Sequence, residues 1–449
     1  MAMEKYFIVN IGSESRKYAL YQNSERLFSA HFEKESNKFV VELAGINPEK
    51  KEISNIERTS LNFCKELREK LKKSKINAEV FIGGSVAKHT LIKKKKYDVD
   101  IFVRFDLKYK YQDISEILNK ILKNKKAKKI HGSRDYFQIE KNKILMEIVP
   151  VLKIKKPEQA ENVTDLSYFH VNYVLKQLRK NKKIADEIKL AKSFIHANNL
   201  YGAESYIHGF SGYSIELLIC HYKSFLSLAK DAIKNNKIII DDSKFYKKKS
   251  DILIELNESK FSPIILIDPT FKQRNVLACL SEESFLKFKE ICKKFLKNPS
   301  LDFFHEKDIG KLLKQKYGKK LIKIKLKTKS QAGDIAGTKS KKFFDFFVFR
   351  LKEEFDVKAN AFEYAEDTNT AYLYLIVEKK KDDIRKGPEI TDIHNLTRFK
   401  KAHKNAFIKN SRAYAKIKHD LSFRQFLNNL KSEKKILKDM KISEFKLIH

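Results

Sequence analysis

The feature that most constrains the fold is a glycine turn followed closely by two acidic residues on a strand. Gly83-Gly84-Ser85 comes first, and Asp98-Val99-Asp100 opens an apolar run a short way downstream. Because successive side chains of a strand point to opposite faces, Asp98 and Asp100 share a face, about 6 to 7 Å apart along the chain. Two carboxylates so placed can bind divalent cations. Mg²⁺ takes oxygen ligands and is usually completed by substrate phosphates.

The glycine turn supplies the complementary half of such a site. Glycine lets the backbone approach a phosphate, and the N-terminus of a following helix directs free N–H groups at it. Ser85 adds a hydroxyl donor. Alone, Gly-Gly-Ser is usually only a turn, and an Asp-x-Asp pair usually lies on the surface. In this order, the two motifs predict a metal-dependent nucleotidyl-transfer site.

The composition predicts a globular, largely helical protein of several domains. A chain of 449 residues is too long to fold around one ordinary hydrophobic core, and its length suggests about three domains. Apolar residues make up 42% of the chain, with 33 Phe and 19 Tyr as core material, whereas Gly (13) and Pro (7) are scarce.

The net charge of +37 predicts a polyanionic partner, nucleic acid first. Most of this charge is lysine spread along the whole chain, so a compositional bias towards lysine is the alternative explanation. No apolar run approaches the roughly 20 residues of a membrane-spanning helix, and no signal peptide opens the chain. The four isolated cysteines are typical of reduced core residues. We therefore predict a cytoplasmic protein that binds no membrane.

Hydrophobic periodicity divides the chain into four segments: a β-rich extension of unknown role over 1–45, an α+β segment over 46–166, a helical segment over 167–305 and a small α+β segment over 306–449. The turn is expected between a strand at Ala78–Ile82 and a short helix at Ser85–Leu91. A solvated Lys93–Lys96 loop then leads to the carboxylate strand. Later expectations include one helix over Ser211–Ala229 and a basic helical tail from Thr397.

A third carboxylate, Glu147, lies inside the apolar strand Ile144–Val149. Burying an unpaired charge is very costly, so such a residue calls for a partner or a metal. The alternative is an edge strand with Glu147 in solvent. Its position after the Asp-x-Asp strand favours the metal site.

With these residues, the chain resembles the archaeal-type (class I) CCA-adding enzymes, which are tRNA nucleotidyltransferases. The resemblance runs from about residue 55 to about 305, and more faintly to 412. The wider polymerase-β-like superfamily shares only the glycine turn and the Asp-x-Asp pair, so the later marks are the specific ones. The marks are Gly83-Gly84-Ser85, Asp98-Val99-Asp100, Glu147-Ile148-Val149-Pro150, Thr164-Asp165 with His170, Tyr201-Gly202-Ala203-Glu204, the segment Gly209–Leu218, Asp268-Pro269 with Arg274-Asn275-Val276, Pro299-Ser300-Leu301 with Phe303-Phe304, and Lys386-Gly387-Pro388.

The resemblance implies an α+β multidomain fold. It makes 46–166 a polymerase-β-like nucleotidyltransferase catalytic domain, 167–305 a helical central domain that binds nucleotide and tRNA, and 306–449 a small α+β tRNA-binding domain with a basic helical tail. It also implies that Asp98, Asp100 and Glu147 are catalytic and hold two Mg²⁺ ions.

The residues implied to bind the incoming nucleotide come from several segments. Gly84, Ser85 and Lys88 would contact it near the turn. His170, Lys192 and Tyr201 would hold the triphosphate. Arg274 would contact the base edge or a tRNA phosphate and so help to select cytosine and adenine.

Two residues depart from the family pattern. Lys88 stands where the family usually has arginine, which keeps the charge but loses bidentate geometry. Glu147 stands where the family usually has a third aspartate, so either the strand shifts or the metal is held less well. The Lys93–Lys96 loop looks like an insertion, either solvated or touching tRNA phosphate.

The implied function is addition or repair of the 3′-terminal CCA of tRNA from CTP and ATP, with release of pyrophosphate and without a nucleic-acid template. Two alternatives stay open. One is another polymerase-β-like transferase that makes poly(A) or oligoadenylate, and the other is an RNA-binding protein whose site has decayed. The oligomeric state is also open, with a homodimer as one alternative.

Overall fold

The computed structural model describes residues 46–330 and 332–448 and, between residues 5 and 42, the backbone of four strands. The chain divides into two compact units, residues 1–306 (unit 1) and residues 307–449 (unit 2). The finer domain boundaries expected from the sequence stay predictions. None of the helices in the described part of the chain combines the length and the apolar character needed to cross a bilayer.

The first four strands form an antiparallel meander, as the alternating pattern of the extension predicts. They are β1 (Lys5–Ile11), β2 (Ser15–Gln22), β3 (Glu25–Glu33) and β4 (Phe39–Glu42). The turns that join them lie outside the described residues, and the role of the extension stays open.

A five-stranded sheet with three helices follows. The elements are α1 (Lys50–Lys73), β5 (Ala78–Ile82), α2 (Gly84–Ala87), β6 (Tyr97–Phe105), α3 (Ile114–Leu122), β7 (Lys128–Ile130), β8 (Tyr136–Lys141) and β9 (Ile144–Leu152). The strands pair in the order β5-β6-β9-β8-β7, and β6 and β9 are the parallel pair of this sheet. The apolar positions of α1 recur at helical spacing, and Cys64, Leu67 and Leu71 are buried in the core shared with β6 and β9.

Helices dominate the rest of unit 1, around a core that includes Phe194, Phe225 and Phe288. Its elements are α4 (Ser167–Lys180), α5 (Lys183–Ala197), α6 (Gly212–Tyr222), α7 (Phe225–Lys234), β10 (Ile238–Ile240), α8 (Lys249–Glu255), β11 (Ile264–Asp268), β12 (Phe271–Asn275) and α9 (Glu282–Lys297). The three strands pair in the order β10-β11-β12.

The expected single helix over Ser211–Ala229 is wrong. Lys223 adopts a left-handed conformation, with φ of 64°, and ends α6. Ser224 then caps α7, because its hydroxyl accepts a hydrogen bond from the Ser227 N–H at 3.1 Å. The apolar period continues across this break, which is why it predicted one helix.

Unit 2 contains two sheets and several helices. The elements are α10 (Ile309–Tyr317), β13 (Ile322–Thr328), α11 (Asp334–Glu354), β14 (Phe355–Ala365), β15 (Thr370–Lys379), β16 (Asp383–Glu389), α12 (Ile393–Ala402), β17 (Ala406–Lys409), β18 (Arg412–Ile417), α13 (Phe423–Ser432), α14 (Lys434–Asp439) and β19 (Ile442–Leu447). Four strands pair in the order β14-β15-β13-β19, and three pair in the order β16-β18-β17. Buried side chains of α11, among them Phe343 and Phe347, form a core with the four-stranded sheet.

The tail from Thr397 is not purely helical, which corrects the expected basic helical tail. It also contains β17, β18 and β19, and β19 pairs antiparallel with β13. In β18 the buried face is carried by Ala413 and Ala415, both 0% exposed. Because alanine contributes little to a hydrophobic pattern, the period of two in this strand is hidden among lysines and arginines.

Candidate active site

The glycine turn lies against the carboxylate strand. The Gly83 N–H donates to the Asp100 carbonyl at 2.8 Å, joining the end of β5 to β6. Gly84 has a φ of 57°, and a Cβ built on it would lie 1.7 Å from Oδ2 of Asp100. Only glycine fits there, because a side chain would be strained and would also collide with the carboxylate. The helix after the turn ends at Ala87, earlier than the predicted Leu91, because Lys88 and Thr90 turn into the protein interior.

Strand register brings the three predicted carboxylates to one face of the sheet. Asp100 on β6 pairs with Glu147 on the parallel strand β9. Neighbouring strands lie about 4.8 Å apart, and Asp98 is two residues before Asp100 on the same face. We call Asp98, Asp100 and Glu147 the carboxylate face.

The oxygens of the carboxylate face have protein partners. Asp98 Oδ2 accepts a hydrogen bond from Lys94 Nζ at 3.2 Å, and Glu147 Oε1 accepts one from Gln138 Nε2 at 2.9 Å. Within residues 46–330 and 332–448, no three His, Cys, Asp or Glu side chains converge as a ready metal cluster. A cation that bound Asp98 Oδ2 or Glu147 Oε1 would compete with these partners.

The side chains around Asp100 do not supply enough positive charge to hold the pKa of its carboxyl at the ordinary value. Burial raises the pKa of its carboxyl above the ordinary range, Lys88 opposes this only in part, and the neighbouring Asp98 adds to it. Carboxylate oxygens are the ligands that Mg²⁺ prefers, and a divalent cation would relieve the mutual repulsion of Asp98 and Asp100. The residues present thus fit a magnesium ion.

Lys88 and Lys192 are not exposed donors, because both are buried against Glu216 of α6. Glu216 Oε2 lies 2.5 Å from Lys88 Nζ, and Oε1 lies 2.7 Å from Lys192 Nζ. The three residues are 5%, 2% and 1% exposed, in the order Lys88, Lys192, Glu216. The Thr90 hydroxyl donates to Glu216 Oε1 at 3.1 Å. This cluster joins the segment after the glycine turn to α5 and α6.

Burial and ion pairing within this cluster shift the pKa values of Glu216 and Lys192. Burial would raise the pKa of Glu216, but Lys192 and Lys88 outweigh it and keep the pKa below its usual value. Burial lowers the pKa of Lys192, against the raising effect of Glu216. Glu216 was not predicted as a site residue. Its signal in the sequence is a lone acid in the apolar stretch Ile215–Cys220, the same signal that identified Glu147.

One pocket contains several of the predicted residues, and Lys88 does not line it. Ser85, Asp98, Lys192 and Tyr201 share this pocket, and its remaining lining residues are Thr90, Leu91, Ile92, Lys94 and Tyr97. The Tyr201 hydroxyl is held close to the α6 N-terminus, since a Cβ on Gly212 would lie 2.6 Å from it. Ser85, Lys192 and Tyr201 can therefore face a common ligand beside Asp98.

His170 and Arg274 meet at a second buried acid, Asp268. Asp268 Oδ2 lies 3.0 Å from His170 Nε2 and 2.6 Å from Arg274 Nη1, and Oδ1 accepts a hydrogen bond from the Tyr213 hydroxyl at 3.2 Å. The Thr270 N–H and hydroxyl also donate to Oδ1, at 2.9 and 2.7 Å. Asp268 lies at the end of β11 and is 0% exposed. It therefore holds His170 and Arg274, two residues predicted to contact the nucleotide, next to each other.

The charges at this second acid follow from its contacts. The pKa of Asp268 lies far below its usual value, because hydrogen bonds and charge from His170 and Arg274 outweigh burial. Burial lowers the pKa of His170, and Asp268 offsets this only in part. Tyr213, which was not predicted, joins the two clusters. Its ring stacks on His170 with centroids 4.2 Å apart, and Lys88 Nζ lies 6.0 Å from its centroid.

Asp165 fixes the start of α4 and therefore the position of His170. Its Oδ1 accepts a hydrogen bond from the Leu152 N–H at 2.8 Å, at the end of β9, and its Oδ2 accepts one from Arg134 Nη2 at 3.2 Å. Arg134 was not singled out from the sequence, because it lies in a loop with no local motif.

Comparisons with known proteins cover most of the chain. A family model described as tRNA nucleotidyltransferase, second domain, matches residues 186–305. A model described as Second Messenger Oligonucleotide or Dinucleotide Synthetase domain matches residues 34–167. The chain is 36% identical over 336 residues to the CCA-adding enzyme of Nanoarchaeum equitans, covering 74% of this chain and 81% of that protein. It is 32% identical over 363 residues to the CCA-adding enzyme of Methanocaldococcus jannaschii, covering 77% and 78%.

Among solved structures, the Cid1 poly(U) polymerase with Mg and 3′-dATP bound aligns with a TM-score of 0.46 and 13% identity. The alignment covers 58% of this chain and 95% of that chain.

Proposed function

The chain belongs to the CCA-adding enzyme family, and we propose how its own residues carry out the reaction of that family. The protein is a tRNA nucleotidyltransferase that adds or repairs the 3′-terminal CCA of tRNA from CTP and ATP. The observation that best supports a working site is the strand register that pairs Asp100 with Glu147. Asp100 is two residues from Asp98 and lies directly against the glycine turn.

The carboxylate face is the proposed holder of Mg²⁺, two ions being the expected number. The metal would supply positive charge that activates the tRNA 3′-hydroxyl and stabilises the leaving pyrophosphate. The role of the protein is then to position the reactants and to provide charge, since phosphoryl transfer requires little covalent chemistry from the enzyme. Asp98, Asp100 and Glu147 would orient the attacking and leaving groups in line.

The phosphates of the nucleotide would lie at the pocket beside the glycine turn. The Gly84 backbone and the Ser85 hydroxyl would contact them at the turn. Lys192 and Tyr201 also line this pocket, and they would add a charge and a hydrogen-bond donor, respectively. The contact predicted for Lys88 stays a prediction, because Lys88 does not line the pocket and its ammonium contacts Glu216.

The contacts predicted for His170 and Arg274 also stay predictions. Asp268 supports them in one respect, because it fixes the two side chains at 3.2 Å from each other, Nε2 to Nη1. A planar guanidinium held in this way suits either a base edge or a phosphate. A homodimer and a cytoplasmic location remain predictions as well.

The decisive experiment is extension of a tRNA that lacks its last nucleotides, with Mg²⁺ and labelled CTP and ATP. We expect a defined stop after three added nucleotides. Open-ended tails would support a poly(A)-type enzyme, and 2′-linked products made without tRNA would support an oligoadenylate synthetase. No extension, beside a working control enzyme, would contradict the proposed function.

Binding of tRNA gives a second test that does not depend on catalysis. With a net charge of +37, the affinity for tRNA should fall steeply as salt rises, because each phosphate contact releases counterions. An affinity that is insensitive to salt would show that the lysine surplus is compositional.

A further inference from the structure

Lys94 stands apart from the other residues of the Lys93–Lys96 loop. Its Nζ lies 3.2 Å from Asp98 Oδ2 and 5.1 Å from the centroid of the Tyr201 ring. Its side chain is 23% exposed and lines the same pocket as Ser85 and Lys192, whereas Lys95 is exposed. One lysine of the run is therefore directed into the proposed active site.

We propose that Lys94 is the resident counter-ion of Asp98 in the ligand-free enzyme. Mg²⁺ displaces its ammonium, which then binds the triphosphate of the incoming nucleotide. This inference deepens the proposed function and depends on it. An ammonium and a divalent cation repel each other, so a metal ion bound at Asp98 Oδ2 would drive the ammonium away from that oxygen. The released ammonium stays in the pocket, because its flexible stem begins only four residues before Asp98.

The energetics of the contact agree with an exchangeable counter-ion. The Asp98 side chain is 49% exposed, and ion pairs of this exposure contribute little to stability. Lys88 and Lys192 differ from Lys94, because both are buried. Moving either ammonium away from Glu216 would leave a buried charge with neither water nor a countercharge. Of the two lysines that line the pocket, Lys94 can leave its carboxylate at a small cost in free energy, whereas Lys192 cannot.

The geometry also explains why the freed ammonium would find the nucleotide. Tyr201 packs beside Lys94, and Lys192 lies in the same pocket. A triphosphate bound there carries several negative charges, whereas the ammonium of Lys192 is held 2.7 Å from Glu216 Oε1. Lys94 therefore adds a positive charge that no buried acid holds in place.

The test measures metal and nucleotide binding to the full-length protein without tRNA, so that no turnover occurs. Mn²⁺ is the metal probe, followed by its electron paramagnetic resonance signal, and CTP binding is followed by calorimetry at saturating Mn²⁺. K94M should bind Mn²⁺ about two- to fivefold more tightly than wild type. It should bind CTP about tenfold more weakly, since a charge-assisted contact to phosphate is lost.

K95M is the matched control, because it removes the same charge from the exposed neighbour of Lys94. It should leave both affinities unchanged. Equal Mn²⁺ affinities for K94M and wild type would overturn the proposal, and so would equal shifts in K94M and K95M. Unchanged CTP affinity in K94M would overturn it too, because the released ammonium would then have no role.

Failure of this proposal can be told apart from failure of the proposed function. If wild type extends shortened tRNA and D98N loses Mn²⁺, the site works, and only the role of Lys94 is at issue. If wild type neither binds Mn²⁺ nor extends tRNA, the proposed function itself has failed.

Discussion

Unit 1 contains two groups of acids with similar chemistry and opposite surroundings. On the carboxylate face, Asp98 and Asp100 stand two residues apart, and burial together with mutual repulsion raises the pKa of Asp100. Around the central helices, Glu216 and Asp268 are each met by two cationic or imidazole side chains, and their pKa values lie below the usual range. We call Glu216 and Asp268 the paired acids.

The difference lies in how much positive charge the chain itself supplies. The paired acids are neutralised by side chains brought from other elements, so they can act as supports that position those side chains. The carboxylate face is left with too little positive charge, and a metal ion can supply the rest. Removing an acid should therefore affect catalysis in the first group and stability in the second.

The largest expected effect is on catalysis, from D100N. Losing this carboxylate should lower kcat/KM for tRNA extension by about 10³-fold, since charge stabilisation in the transition state is lost. Stability without metal should not fall. The raised pKa means that the ionised form is disfavoured in the folded protein, and asparagine removes that cost. Urea unfolding without divalent cations checks the second part, and a clear loss of stability in D100N would break the comparison.

The reverse result is expected for E216Q. This change leaves the Lys88 and Lys192 ammonium groups buried without a countercharge, so the free energy of unfolding should drop by about 3 kcal/mol. E187Q is the matched control, because Glu187 is a partly buried acid whose carboxylate accepts the Phe225 N–H at 2.8 Å and whose pKa is raised by burial. Equal unfolding free energies for E216Q and E187Q would contradict the supporting role of Glu216.

A pH titration of stability should separate the groups further. The pKa of Asp268 is lower in the folded protein than in the unfolded chain, where it is about 3.9. Its contribution is therefore fully present above that value and is lost as the pH falls through the folded pKa. D268N should be less stable than wild type by about 2 kcal/mol at pH 7, and the gap should shrink below about pH 4. A gap that stays constant down to pH 2 would refute ionic pairing as its source.

Much of the carboxylate face could be predicted from the sequence, because its signals are local. Alternation fixes which residues of β6 share a face, and a glycine pair before a helix marks the turn. The bounds Ala78–Ile82 of β5 agree with the sequence pattern for the same reason. The partner of Glu147 was not predictable, since Gln138 is opposite only because of the hairpin register.

The paired acids could not be predicted in the same way, because each has a partner that is distant in sequence. Lys88 and Glu216 are 128 residues apart, and Asp268 at the end of β11 meets His170 of α4. An alkyl-ammonium side chain looks the same in a sequence whether it faces solvent or a buried acid. Only tertiary packing, which brings the turn against α5 and α6, decides that Lys88 is buried.

The smallest expected effect concerns Glu147, where the family usually has aspartate. Shortening it in E147D removes the hydrogen bond from Gln138 Nε2, which is worth about 1 kcal/mol of stability, while the carboxylate stays on its face. We expect activity within about tenfold of wild type at saturating Mg²⁺. Q138L removes the same hydrogen bond without touching the acid, so its stability should match that of E147D. If E147D abolished activity while Q138L did not, the extra methylene of Glu147 would itself position the metal. The carboxylate face would then be more rigidly built than the exchangeable partner Lys94 implies.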